Sequence, residues 1–412
     1  MDVVHERCAG IDIGKADCKV CIRVPGRNGR RHTEIRTYST MTEGLLALRD
    51  WLVSERITLV GMEATGSYWK PVYYILEELM ETWLLNAQHM RNVPGRKTDV
   101  RDCQWICQLV EHGLVRPSFV PPKPIRQLRD LTRYRTEVTR ERTREIQRLE
   151  KLLEDPGIKL SSVVSDLSGR SARTMVEALI AGERDPQALA RLALGKLRDK
   201  EAQLIQALTG FFSDHHAFLA RAMLQRIDAA TATINELTAE IGRRLQPYQR
   251  QVELLVTVPG LSLTAAQIVI AEIGVDMQRF PTAGHLASWA GVCPGNHESA
   301  GKVTSGRTRH GDAWLKGVLG IAAAAAARSK STYLSAQFRR LVGHRGKKRA
   351  LVAVEHSILV SVWHILTRDI PYQDLGADHF INRIHRSRQT RRLVGQLTQL
   401  GYDVSLQPHQ TA

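Results

Sequence analysis

Short apolar runs broken by polar turns open the chain. Residues 8–14 (CAGIDIG) and 18–24 (CKVCIRV) predict two β-strands joined by a tight turn at Gly14–Ala16. A third strand is expected around His32–Tyr38, after the turn-forming GRNGR. The period then alternates. Met41–Ser54 has helical spacing, Ile57–Met62 is an apolar strand, and Tyr68–Glu81 is helical again. Trp83–Leu85 predicts a short buried strand, and Asp99–His112 a helix. Strands interleaved with helices predict an α/β layer domain over residues 1–115.

The prolines of RPSFVPPKP (Arg116–Pro124) forbid continuous helix and mark a linker. Beyond it, Ile125–Glu154 predicts a long charged helix with a narrow apolar stripe, stopped by Pro156–Gly157. Short helices fill residues 158–212. Met223, Ile227, Ala230, Ile234, Leu237 and Ile241 then form a heptad seam. A seam identifies a partner helix but not its owner, so packing in cis and packing against a second subunit both stay open. Residues 116–250 are therefore a helical, coiled-coil middle. Residues 251–345 read as mostly helical, starting with helix, Pro-Gly turn and helix in TVPGLSLTAAQIVIAEIG. A Gly/Ser-rich charged loop is expected over Cys293–Gly311, and an alanine-rich helix after it. Residues 346–412 read as a basic helical tail, polar after Tyr402.

Composition narrows the function classes. The hydrophobic share of 43% is that of a globular protein, which argues against disorder. The net charge of +16 points to a polyanionic partner, most commonly nucleic acid. MDVVHERCAGIDIGK is no secretory signal, and the alanine run Ala322–Ala327 falls far short of the roughly 20 apolar residues of a membrane span. A cytoplasmic protein with no membrane partner is expected. Of the six cysteines, Cys18 and Cys21 form a CxxC inside a strand-like run, with no second pair at zinc-binding spacing. Reduced, mostly buried thiols are the expectation.

Four acids carry candidate chemistry. Asp12 and Glu63 each stand where an apolar strand runs out. Ligand sites of open α/β sheets gather at strand ends, and a charge there is costly without a partner. Asp99 and Asp102 are three apart, on one face of a helix that would close over the strand ends. Clustered carboxylates repel unless a cation sits among them, and magnesium is the natural resident. A second cluster is cationic. In GVCPGNHESAGKVTSGRTRHG, Lys302, Arg307 and Arg309 can neutralise a phosphate that glycines let approach the backbone. Arg328–Arg349 contains no acid and carries Arg339, Arg340, Arg345, Lys347, Lys348 and Arg349, with Tyr333 and Phe338 among them. Lys97 is counted with these as a nucleic-acid contact.

GIDIGK, GMEATGSYW and NAQHMRNVPGRKTDVRD, in this order, resemble the DEDD transposases of the insertion sequence 110 family. The resemblance continues through the C-terminal half and covers most of the chain. It implies a RuvC-like ribonuclease H fold for the N-terminal domain, followed by the coiled-coil middle and a helical transposase domain. It places an acidic tetrad holding Mg2+ on Asp12, Glu63, Asp99 and Asp102. ESAGK followed by SGRTRHG resembles the family's motif around its nucleophilic serine, which implies Ser299, with Ser305 in the same loop as the fallback. VPGLSLTAA resembles a helix-hairpin-helix. The resemblance implies a recombinase that excises and inserts a mobile DNA element through a serine–DNA intermediate. It also implies a structured guide RNA and composite sites shared between subunits of a dimer or tetramer. A hydrolytic Holliday junction nuclease, a Piv-type DNA invertase and a non-catalytic nucleic-acid-binding protein remain the rivals.

Overall fold

The computed structural model describes residues 2–26, 30–64, 66–86, 90, 102–295, 297–299, 302–382 and 386–406. The chain divides into two compact units, Met1–Val120 and Pro121–Ala412.

The first unit runs β1 (Cys8–Ile13), β2 (Asp17–Pro25), β3 (Arg31–Ser39), α1 (Thr42–Ser54), β4 (Leu59–Glu63), α2 (Trp69–Leu76), β5 (Glu81–Leu85) and α3 (Asp102–Glu111). Its five-stranded sheet has the order β3-β2-β1-β4-β5. β1, β2 and β3 pair antiparallel, whereas β1–β4 and β4–β5 are parallel. Alternation divides the side chains between two cores. Ile11, Val20, Ile22, Val60 and Met62 pack with Leu48 and Leu52 of α1 and with Val72 and Leu76 of α2. Cys8, Cys21, Leu59 and Leu85 pack on the other face with Cys103, Ile106, Cys107 and Val110 of α3. Cys18 and Cys21 fall into different cores, so their CxxC spacing does not bring the thiols together.

The helix expected over Tyr68–Glu81 ends at Leu76. The sheet takes the rest, since Glu81 N donates to Thr58 O at 3.1 Å and opens β5. The proline-rich linker is held too. Leu85 bridges Pro117, and Ser118 N donates to Leu84 O at 2.7 Å.

The second unit opens on two long helices, α4 (Lys123–Glu154) and, after α5 (Arg170–Ala181), α6 (Pro186–Ala190) and α7 (Glu201–Leu208), α8 (Asp214–Arg244). α4 and α8 run antiparallel. Arg244 bonds Gln127 at 2.9 Å, while Arg226 lies 3.7 Å from Glu145. The heptad seam therefore finds its partner within the same chain. Ile227 and Ile241 are buried, and Ile234 and Leu237 are half-buried. At the far end, Leu149, Leu153 and Leu224 join Met175, Leu179 and Leu204 in one core.

The remainder is α9 (Gln249–Val256), α10 (Leu263–Ile273), α11 (Ala283–Trp289), the hairpin β6 (His297–Ser299) and β7 (Lys302–Ser305), α12 (Ala313–Arg328), α13 (Tyr333–Arg345), α14 (Lys347–Arg368), α15 (His379–Asn382) and α16 (Arg386–Gln399). The helix-turn-helix of VPGLSLTAA is present as α9 and α10, with Ser262 capping α10. A Cβ at Gly260 would lie 2.3 Å from Ala322 O, so this turn presses on the backbone of α12. That contact accounts for the glycine by packing.

α14 departs from the expected basic tail. Ala350, Val354, Ile358, Leu359, Val362 and Ile365 are buried, and the helix packs on α11, α12 and α13. It is long and apolar enough to cross a membrane, contrary to the expectation that no such stretch exists. Its buried residues face these helices within the second unit.

Candidate active site

Parallel pairing aligns two of the acids. Ile11 of β1 faces Met62 of β4, so Asp12 and Glu63 are the next residues on adjacent strands at the same sheet edge. Ile11 and Met62 belong to the α1–α2 core. Alternation therefore turns Asp12 and Glu63 to the α3 side. α3 runs back along β1. Cys107 lies over Cys8, with the two sulfurs 3.8 Å apart. A Cβ at Gly10 would lie 2.3 Å from Cys107 N and 2.4 Å from Cys103 O. The first turn of α3, which carries Asp102, therefore points toward the end of β1. Burial, then the neighbouring Cys21, pushes the Cys103 thiol up to about 11, and the charge of Asp12 adds to this. Asp12 thus sits within electrostatic reach of that turn.

The far end of α3 is anchored by Glu111. This fully buried carboxylate meets Arg23 of β2 at 2.7 Å and Arg31 of β3 at 2.6 Å. Asp12, Glu63 and Asp102 are brought to one edge in this way. Asp99 and Lys97 lie outside the described residues. Among the described residues, no three His, Cys, Asp or Glu side chains stand close enough to form a ready metal cage. The carboxylates of Asp12, Glu63 and Asp102 are nonetheless the hard oxygen donors that magnesium takes, which usually binds through one or two carboxylates and keeps several waters.

The expected Gly/Ser-rich loop is a hairpin. β6 and β7 pair antiparallel, with His297 facing Ser305 and Ser299 facing Lys302, and an irregularity between His297 and Glu298. Ser299 is the last residue of β6, beside the turn. Pro294 bridges Thr308, and Gly295 N donates to Arg307 O at 2.9 Å, which continues the ladder toward the base. Gly291 and Gly311 close that base, a Cβ at Gly291 lying 2.8 Å from Arg309 O. Gly311 has φ +58°, and a Cβ there would lie 2.2 Å from Ala290 O. Ser305 is half-buried, and its Oγ accepts from Arg307 N at 3.2 Å. Arg307 and Arg309 are exposed along the same ribbon.

Two regions of the chain are similar to known protein families. A family model described as a transposase, of the DEDD type, matches residues 9–156. A second, described as the transposase IS116/IS110/IS902 family, matches residues 252–339. The chain belongs to the insertion sequence 110 family of transposases. It is 26% identical over 340 residues to a protein of Pseudomonas aeruginosa named as a family 20 transposase, covering 79% of this chain and 89% of that one. It is 24% identical over 210 residues to a Sinorhizobium fredii protein named as transposase y4pF/y4sB, covering 43% of this chain and 54% of that one. The family model for the front of the chain takes in Asp12, Glu63 and Asp102, and the second takes in the hairpin.

In this transposase the hairpin is backed by an ion network that the sequence did not reveal. Glu272, fully buried at the end of α10, receives two bonds from Arg133 of α4, both 2.8 Å. Arg129 approaches the same carboxylate at 3.1 Å. Burial pushes the Glu272 carboxyl up, and Arg133 and Arg129 pull it back. Arg133 also reaches Asp312 at 3.2 Å. Asp312 follows the hairpin directly and caps α12 by accepting from Leu315 N at 2.8 Å. Trp314 lies under the guanidiniums of Arg133 and Arg140, at 5.4 and 5.1 Å. The coiled coil is thus wired to the residue at which the hairpin ends.

The cationic residues of the transposase are placed unevenly. Arg345, Lys347, Lys348 and Arg349 are exposed at the corner between α13 and α14, where Gly346 has φ +77°. Arg339 is drawn to Ser335 Oγ at 3.2 Å, and Arg340 covers the Phe380 ring at 4.5 Å. Tyr333 stacks on Phe380 instead of standing free. Gly10 and Gly61 are the residues that sequence reasoning missed. Their signal was a glycine inside an apolar strand, which marks a close approach of another element.

Proposed function

We propose that this transposase cuts and rejoins the ends of a mobile DNA element and its target, using Asp12, Glu63, Asp99 and Asp102 to hold Mg2+ and Ser299 as nucleophile. The alignment of Asp12 with Glu63 on neighbouring parallel strands, beneath the first turn of α3, carries this reading. The strand order and the mixed pairing of the sheet support a RuvC-like ribonuclease H fold for residues 1–115. Bound magnesium supplies charge neutralisation at the scissile phosphate.

The protein's own groups do the rest. The Ser299 hydroxyl attacks phosphorus, loses its proton, and forms a phosphoester as the strand's P–O bond breaks. The leaving strand end keeps the electron pair and takes up a proton to become a hydroxyl, and the ester conserves the bond for rejoining. Lys302, Arg307 and Arg309 on the hairpin, with Lys97 and the α13–α14 corner, hold DNA phosphates. Acids of one subunit and the hydroxyl of another would meet in a dimer or tetramer. A structured guide RNA is a second polyanion that the +16 charge suits. A cytoplasmic setting follows from these partners.

The test compares Ser299→Ala and Ser305→Ala with the parent, incubated with element-end DNA and magnesium. Trapped adducts are mapped by mass spectrometry. The expected adduct sits on Ser299 and vanishes in Ser299→Ala alone. Cleavage at the parental rate in Ser299→Ala would instead favour hydrolysis by a junction nuclease. Asp12→Asn is expected to abolish cleavage while leaving DNA affinity within about twofold, because a carboxylate does not attract phosphate.

A further inference from the structure

A cavity of about 480 Å³ lies beside α14, and none of its described lining residues belongs to the hairpin. That volume falls within the range of small-ligand sites, roughly 300–1,000 Å³. One wall is the segment 370–375, which is held at both ends. Tyr372 N donates to Thr257 Oγ1 at 2.9 Å. Asp374 Oδ1 accepts from Tyr333 N at 3.0 Å and from Gly376 N at 2.7 Å. The cavity is therefore built into the fold.

Its lining has a particular chemistry. Tyr333 and Tyr372 supply aromatic rings, Ile365 an apolar wall, and Ser361 and His364 polar edges, with Arg368 the cation. The Nδ1 of His364 is buried and has no hydrogen-bond partner among the described residues. Ser361 Oγ already donates to Ser357 O at 3.0 Å, so toward the cavity it can accept. Arg368 is exposed. Just outside, Tyr333 stacks on Phe380 with ring centroids 5.0 Å apart, and Arg340 lies over that ring.

Two rings call for a flat partner, and the His364 and Ser361 edges call for one with its own donors and acceptors. Arg368 is the one Lys or Arg among the described lining residues, which suits one phosphate and not a polyphosphate. We infer that this cavity takes one unpaired nucleobase of a bound strand, stacked against Tyr372, hydrogen-bonded to His364, with its phosphate at Arg368. This rests on the reading of the protein as a nucleic-acid enzyme. A flipped or bulged base is the form in which a strand can offer such a surface.

The experiment uses the full chain and two probes, a fully paired duplex and the same duplex with one unpaired 2-aminopurine. The bulged probe is expected to bind about five- to tenfold tighter, near the low end of what one base–aromatic stack contributes. Ser361→Trp, which fills the cavity, should erase that difference and leave paired-duplex affinity and the melting temperature unchanged. Tyr372→Leu, which removes a ring without filling space, should weaken it and covers the case in which the tryptophan disturbs folding. Equal binding of both probes by the parent, or a preference that survives both variants, overturns the inference. Free adenosine monophosphate competing at low concentration would also overturn it, by marking a site for a free nucleotide. Failure of both duplexes to bind would sink the nucleic-acid reading itself.

Discussion

Arg133 of α4 grips Glu272 of α10 through two parallel hydrogen bonds of 2.8 Å, and the carboxylate it holds has no exposed surface. The pair joins the coiled coil to the helix bundle that carries the hairpin. Such a site is asymmetric in energy. The intact pair contributes little net stability, because burying both charges is costly, but removing one partner strands the other. Glu272→Ala leaves Arg129 and Arg133 with Asp312, 3.2 Å from Arg133, as the remaining counter-charge, and is expected to cost about 3 kcal/mol, the low end for a broken buried pair. Chemical denaturation measures this. A loss under about 1 kcal/mol would mean that water reaches the two guanidiniums and solvates them.

Gly10 makes a second prediction with an internal control. A methyl group there meets backbone atoms of α3 at 2.3 and 2.4 Å, and backbone cannot swing aside as a side chain can. Gly10→Ala should push α3 off β1, cost roughly 1–3 kcal/mol or more as overpacking does, and lower DNA cleavage because Asp102 moves with the helix. Gly242 lies inside α8 with nothing within 4 Å of an added Cβ. Gly242→Ala should stabilise by about 0.5–1 kcal/mol through helix propensity alone. Melting curves and cleavage assays on both variants check the contrast. Equal effects would refute the close approach at Gly10.

What was legible in the sequence was local. β1, β2 and β4 follow from apolar runs, and α1 from helical spacing, because one buried face writes a period into a short segment. The seam of α8 was legible for the same reason, although its partner was not, since Ile227 carries no mark of which helix it will meet. The hairpin around Ser299 has the composition of a loop. ESAGKVTSG is small and polar, and its pairing depends on backbone bonds and on glycines at Gly291 and Gly311, not on alternation. The Lys347–Arg349 cluster hid the apolar face that follows it in α14. Glu272 looked like one acid in an apolar helix, and its partners lie well over a hundred residues earlier. Asp12 and Glu63 were legible as strand ends, but their shared edge needed the parallel register of β1 and β4.

Cys18 predicts an alkaline limit to stability. Burial, followed by the nearby charge of Asp17, pushes its thiol from 9.0 up to about 11. The unfolded thiol ionises near 9.0, so between these values the folded state holds a proton that the unfolded state has lost. The stabilisation is complete below pH 9.0 and is lost as pH rises toward about 11. A shift of this size amounts to about 2–3 kcal/mol. Unfolding free energies across that window should fall more steeply for the parent than for Cys18→Ala. Parallel curves would show that the thiol is not the group responsible.

The corner between α13 and α14 predicts how DNA binding responds to salt. Lys347, Lys348 and Arg349 are exposed and consecutive, and Arg345 precedes them across Gly346. Arg340, by contrast, is committed to the Phe380 ring. Each cation that meets a duplex phosphate releases condensed counterions, which steepens the log–log salt slope by about 0.9. Replacing Lys347, Lys348 and Arg349 by Gln should therefore flatten the slope by about 0.9 for each phosphate they contact, and weaken binding alike on element-end and unrelated duplexes. Arg340→Gln should change the slope less. Fluorescence anisotropy over a salt series gives both quantities. A triple variant with the parental slope would place the DNA path elsewhere, and a loss confined to element-end DNA would make these residues readers of sequence.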